Sequence, residues 1–275
     1  MSKFVLIVIV CVIAFFVWKF LRKFKTPKIG SMSLISGGVK CGKSTLAVAI
    51  VLSEHRRRCR RIKFKNFFLR LLKKPEIELP LIYSNIPLAC PYVKLTDDLL
   101  LRKKRFVYGS VIYVSEAALV ADSQLIRDME LNERLLLFNK LIGHETKGGC
   151  LIYDTQCVGD IHYSVKRSLS EYIYIHHLTK WIPFFLVAYV RECHYSDDSS
   201  TINAFTDDVE SNLRRVIIRK STWKYFDAYC YSCLTDDLPV EKKIVKNDKH
   251  TEDLKAREIL SFKKGGVLNE KKDSK

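Results

Sequence analysis

Nine consecutive residues, Gly37-Gly38-Val39-Lys40-Cys41-Gly42-Lys43-Ser44-Thr45, have the types and spacing to hold a polyphosphate. They fit G-x-x-x-x-G-K-[ST], where Gly37 and Gly42 free the backbone to wrap with its N–H groups pointing inward. Those amides and the N-terminus of a following helix would grip phosphate oxygens. Lys43 would reach the β- and γ-phosphates, and the Ser44 hydroxyl would ligate Mg²⁺. The motif carries this meaning only between a strand and a helix, and its flanks supply both. A β-type run, Met32-Ser33-Leu34-Ile35-Ser36, precedes it, and a helix-favouring run, Leu46-Ala47-Val48-Ala49-Ile50-Val51-Leu52, follows.

Phosphoryl transfer to water needs more than a cradle. Ser110-Val111-Ile112-Tyr113-Val114-Ser115-Glu116 reads as a buried strand ending in a polar pair. In phosphate-loop ATPases the equivalent strand usually ends Asp-Glu, with the Asp on the metal's water shell and the Glu activating the attacking water. Here Ser115 stands in place of the acid, with a hydroxyl that can accept a water hydrogen bond but carries no charge. Glu116 is the candidate general base; its alternative role is a first-turn acid complementing a helix dipole. Cys150-Leu151-Ile152-Tyr153-Asp154-Thr155-Gln156 reads as a second buried strand with a polar tip. Gln156 would sense the γ-phosphate or orient the water, provided this strand lies between the phosphate-loop strand and the one ending in Glu116. Asp154 is a further candidate for the acid that Ser115 lacks, with alternation along the strand as the argument against it. Arg167 closes a helical run over 160–167; it is either a finger toward a neighbouring subunit's nucleotide or ordinary helix C-terminal charge.

Around these residues the chain predicts an α/β domain over 30–238, with a mainly parallel central sheet flanked by helices. Strand-like runs at 81–88, 171–178, 184–192 and 214–219 join those above. A helix is expected over 122–144, and Thr96-Asp97-Asp98 has the chemistry of a helix cap. The apolar run 181–190 is too short to span a bilayer and reads as a core strand headed by Pro183. From about 239 to 275 the chain is rich in Lys and Glu and is expected to be a disordered tail.

The first 29 residues differ in kind. From Phe4 to Trp18 there is no charge, and with Phe20 and Leu21 the run approaches the roughly 20 residues that cross a bilayer. Arg22, Lys23, Lys25 and Lys28 follow while only Lys3 precedes, so a transmembrane helix here leaves the rest of the chain in the cytoplasm. The Phe-Val-Trp-Lys sequence after the apolar run gives no small-x-small site for signal cleavage. Nine scattered cysteines suit reduced thiols rather than a disulfide framework. Cys230 and Cys233 form a lone C-x-x-C, a weak metal or redox signal.

The net charge of +17 calls for an anionic partner. Much of it lies between Arg56 and Lys74, where Phe64, Phe67, Phe68, Leu71 and Leu72 interleave the basic residues. This insertion, over 55–80, reads as a basic amphipathic helix suited to anionic lipid, to a nucleic-acid backbone such as single-stranded DNA, or to packing on the domain. No Asn-Lys-x-Asp guanine-reading motif is present, so ATP is the expected nucleotide.

Taken together, the strand and loop 33–45, Tyr83-Ser84-Asn85-Ile86, the strand ending at Glu116, the link from His144 to Gly148 into Thr155-Gln156, and Lys224-Tyr225-Phe226-Asp227-Ala228-Tyr229 resemble the zonula occludens toxin-like (Zot-like) family. These are the morphogenesis ATPases of filamentous phages. The resemblance covers about residues 30–235. It implies an additional-strand P-loop ATPase with ATP and Mg²⁺, an oligomer at the inner membrane, and phage assembly or coat proteins or DNA as partners. Gly37, Gly42, Lys43, Ser44, Glu116 and Gln156 carry over as site residues. The anchor precedes the ATPase here, whereas filamentous-phage members usually place it after, and Ser115 replaces the usual acid.

Overall fold

The computed structural model describes residues 8–13, 15–16, 24–27, 29–95, 106–120, 138–140, 142–144, 146, 148–194, 213–226, 240–245 and 257–262. The phosphate-loop motif connects β1 (Met32–Ser36) to α1 (Lys43–Leu71). All five β1 residues are buried, as expected of a strand covered on both faces. β2 (Ile82–Ser84), β3 (Val93–Lys94), β4 (Val111–Val114) and β5 (Cys150–Thr155) follow, with a short α2 (Ala117–Val120) after β4 and α3 (Tyr163–Arg167) after β5. β6 (Glu171–Ile182), β7 (Phe185–His194) and β8 (Arg214–Arg219) complete the sheet, and a 3-10 helix (Lys220–Lys224) leaves it.

The sheet order is β3-β2-β4-β5-β1-β6-β7-β8. Every pair from β3 to β6 is parallel, whereas β6–β7 and β7–β8 are antiparallel. The architecture is therefore mixed α/β around a mostly parallel sheet, with one strand, β5, between β1 and β4. Parallel neighbours place the C-terminal tips of β1, β4 and β5 together at one end. One core lies between the sheet and α1, where Ile35, Tyr113 and Ile152 meet Leu46, Val48 and Ile50. A second covers the opposite face with Leu34, Tyr83, Val114, Tyr153 and Ile161.

Several expectations change. The basic stretch is not a separate insertion helix: α1 runs unbroken for 29 residues, about 43 Å, from the phosphate loop through Arg56 to Leu71. Nothing in 53–71 is Gly or Pro, so no residue there breaks the helix. The run 181–190 is not one strand, because Pro183 and Phe184 form the turn between β6 and β7. Within the tail expected to be disordered, β9 (Val240–Val245) and β10 (Arg257–Phe262) pair antiparallel. Of the expected transmembrane segment, residues 8–13 and 15–16 are described and are helical and exposed. Among the described residues no helix is long and apolar enough to cross a membrane. The 96–98 cap, most of the 122–144 helix, and Cys230 and Cys233 lie outside the described residues.

Candidate functional site

Phosphate loop and sheet tips meet in one place. Gly42 ends the loop with φ 92° and ψ 17°, a left-handed conformation that suits glycine. A Cβ there would sit 2.7 Å from Leu178 Cβ. At Gly37 it would sit 2.5 Å from Ile175 Cγ2, so β6 presses directly on the loop. Lys40 also has positive φ, 60°, and Val39 at the loop's outer turn is 73% exposed. Cys41 is half-buried against Gly37, and burial raises its thiol pKa. Gly42→Ala is accordingly expected to destabilise the fold by roughly 1–3 kcal/mol through strain and overlap. Gly38→Ala should be close to neutral, because nothing lies within 4 Å of a Cβ at that position. Urea midpoints of the two variants check this.

α1 starts at Lys43, whose Nζ donates to Glu116 Oε1 at 2.7 Å. The pair is largely shielded, with side chains 7% and 24% exposed. Gln156 Nε2 donates to the same carboxylate oxygen at 3.4 Å, from the tip of the strand between. Glu116 itself has φ 48°, strain that the surrounding bonds must hold. Ser44 follows Lys43 in the first turn of α1. Thr45 accepts a hydrogen bond from Trp223 Nε1 at 3.1 Å, which ties the 3-10 helix to the start of α1.

Asp154 is the acid beside Ser115. β4 and β5 pair from Val111 with Cys150 to Val114 with Tyr153, so the next residue pair is Ser115 and Asp154. Tyr113, Ser115 and Asp154 share the sheet face that carries α1. Alternation is therefore no obstacle, since residues two apart on a strand face the same way. The fully buried Asp154 accepts from Tyr113 Oη at 2.6 Å, Glu116 N at 2.8 Å and Ser115 Oγ at 3.2 Å. Burial raises its pKa above 3.8, while the Lys43 charge and the Tyr113 and Glu116 hydrogen bonds pull it back down. The tyrosine is itself pushed well above 10, by burial first and then by Asp154.

A further residue, Asn85, holds this turn from the other side. Its Nδ2 donates to Ser115 O at 2.9 Å, and its Oδ1 accepts from Ser115 N at 2.8 Å. Both hydrogen bonds fix the backbone that aims Glu116. In the sequence Asn85 stands out only as part of Tyr83-Ser84-Asn85-Ile86, with no role of its own. Arg167 is not brought to this site. It is exposed, its Nη1 donates to Tyr163 Oη at 3.0 Å, and it precedes by three residues Ser170, whose N–H bonds Met32 O at the opposite end of β1.

A glycine loop from the central parallel strand into a helix, with the acids of two neighbouring strands at the same tip, defines a P-loop NTPase fold. No family model and no curated protein matches the chain. Solved structures similar to it include the N-terminal domain of zonular occludens toxin from Neisseria meningitidis, at 15% identity and TM-score 0.45, covering 73% of this chain and 100% of that one. A genome packaging NTPase from Sulfolobus turreted icosahedral virus 2, solved with AMP, is similar at 16% identity and TM-score 0.31, covering 62% and 98%. A KaiC-like protein from Pyrococcus horikoshii OT3 is similar at 15% identity and TM-score 0.33, covering 70% and 90%. The class rests on the loop and the strand order.

Proposed function

We propose that the chain is an ATP-hydrolysing P-loop ATPase of the additional-strand, Zot-like kind, held at the inner membrane by its N-terminal segment with the ATPase domain in the cytoplasm. One observation carries the reading: Lys43, Glu116, Gln156 and Asp154 converge at the tips of β1, β4 and β5. The loop amides and Lys43 would hold the triphosphate. A γ-phosphate would draw Lys43 toward itself and leave Glu116 free to take a proton from water. Gln156, already bonded to Glu116, would orient that water. The developing charge on the phosphoryl oxygens would be met by Lys43 and the loop N–H groups.

Magnesium is implied by the loop and takes hard oxygen donors, usually one or two carboxylates together with substrate phosphates. The Ser44 hydroxyl and the Asp154 carboxylate, with Ser115 bonded to it, fit that donor set. Held by those residues, the ion would supply positive charge against the phosphates. ATP turnover would drive phage assembly and extrusion or DNA movement. The working form would be a homo-oligomer, with Arg167 reaching a neighbour's nucleotide and coat or assembly proteins as partners.

The second reading is a nucleotide-dependent membrane scaffold that binds ATP, scarcely hydrolyses it and recruits partners. Ser115 in place of the usual acid favours it. Phosphate release from MgATP separates the two. Turnover that falls about 100-fold or more in Glu116→Gln, with ATP binding kept, is the enzyme's result. Equal background rates in both proteins are the scaffold's.

A further inference from the structure

We infer that one face of α1 is a contact surface for an anionic membrane. This rests on residues apart from the nucleotide site. At 100° per residue, Ser53, Arg56, Arg60, Phe64, Phe67 and Leu71 all fall within about 60° of one line along the helix. The opposite face is taken: Ile62 is buried, and Asn66 exchanges two hydrogen bonds with the Ile77 backbone at 2.7 and 2.9 Å. The return of the chain from Leu72 therefore covers the far side and leaves this face open. Phe64, Phe67 and Leu71 are 67%, 57% and 67% exposed. The stretch packs on the domain through Ile62 and Asn66, and its interleaved aromatics do not.

The same face begins at a polar cleft of about 250 Å³ whose walls include Thr26, Ser53, Arg56, Arg60, Arg219 and Ser221. Among the described residues no carboxylate bonds any of these three arginines, whereas Arg57 and Arg58 both bond Glu54. Unpaired guanidinium groups ringed by hydroxyls suit a phosphate-bearing anion. The chain from the N-terminal segment arrives here. Phe24 O accepts from Ile217 N, Lys25 O accepts from Arg214 Nη2, and Thr26 Oγ1 donates to Ser53 Oγ at 3.0 Å. Thr26 is five residues from Leu21, the end of the apolar run, a reach of at most about 17 Å.

Charge at the cleft, apolar rings farther along, and flanking Arg61 and Lys63 give the composition of a helix lying in a headgroup layer. Nucleic acid would meet the same charges. However, the exposed rings pack edge to face on one another, Phe64 with Phe68 and Phe67 with Phe68, rather than standing as separate platforms for bases. Lipid is the better match.

The test uses the full chain with a photoactivatable benzoyl-phenylalanine at position 68. It is mixed with vesicles of phosphatidylcholine alone or with 30% phosphatidylglycerol, a single-stranded oligonucleotide being present throughout. Lipid adducts should form with the anionic vesicles. They should fall about tenfold in pure phosphatidylcholine, and by a similar factor in the combined Arg56→Gln, Arg60→Gln and Arg219→Gln variant. Adducts to the oligonucleotide, adducts to a second copy, or lipid adducts indifferent to charge would overturn the inference. Extraction at alkaline pH reads anchoring by the N-terminal segment separately. The comparison of the two vesicle types needs no arginine substitution, so a folding defect in the triple variant leaves the answer intact.

Discussion

Asp154→Asn should abolish most ATP turnover without harming the fold. The carboxylate is buried at the tip of β5, next to the residue that stands where the usual acid would be, and it accepts from Ser115 Oγ and Glu116 N. An amide keeps the shape and one accepting oxygen but loses the charge that a hard cation needs. Losing one preorganised electrostatic group at a reacting centre costs about 100-fold or more in rate. The Mg²⁺ concentration for half-maximal rate should rise in parallel. Ser115→Ala should be far milder, because it leaves the carboxylate in place. The reverse ranking would return the metal-binding role to Ser115.

Stability moves the other way. Burial raises the Asp154 pKa in the fold, so the folded carboxyl holds its proton more tightly than the unfolded one does. Folding stability from this group is therefore greatest below the unfolded value near 3.8 and is lost as pH climbs through the folded value. At neutral pH that contribution is absent and the desolvation cost remains, so Asp154→Asn should melt at or above the wild-type temperature. Thermal scans at pH 7 check the sign; a variant several degrees less stable would show that the hydrogen bonds outweigh the buried charge.

Lys43→Ala is expected to have the second large effect. Lys43 is the shielded cation between two acids: it bonds Glu116 directly, and its charge is the largest influence holding the Asp154 pKa down. Truncating one member of such a cluster typically costs 2–5 kcal/mol, about 30- to 4,000-fold in an affinity. The loss has two sources. The triphosphate loses its ammonium partner, and Asp154, without the neighbouring charge, shifts further toward its neutral form and is a poorer metal ligand.

Much of this site could be read along the chain. A glycine loop between a strand and a helix is a local pattern, so residues 37–45 announced themselves, and the two polar strand tips at Glu116 and Gln156 were visible as endings of apolar runs. The requirement that β5 lie between β1 and β4 could be stated in advance, although only the pairing shows that it holds. Asp154 was harder. Its alternation was counted along one strand, while its neighbour is set by the register between two, which starts at Val111 with Cys150. Asn85 gave a turn signal like any other asparagine after a strand, and its clamp on Ser115 is a contact across 30 residues. The basic helix looked like an insertion because its composition shifts at Arg56, but composition does not break a helix, and no glycine or proline intervenes before Leu71.

The central claim is that this loop holds a nucleotide's phosphates with Lys43 as their cation. Calorimetric titration of MgATP into the full chain and into Lys43→Ala tests it most directly. Saturable binding by the first, weakened about 100-fold or more in the second, is the predicted result. Equal affinities, or no binding by either while both remain folded, would contradict it.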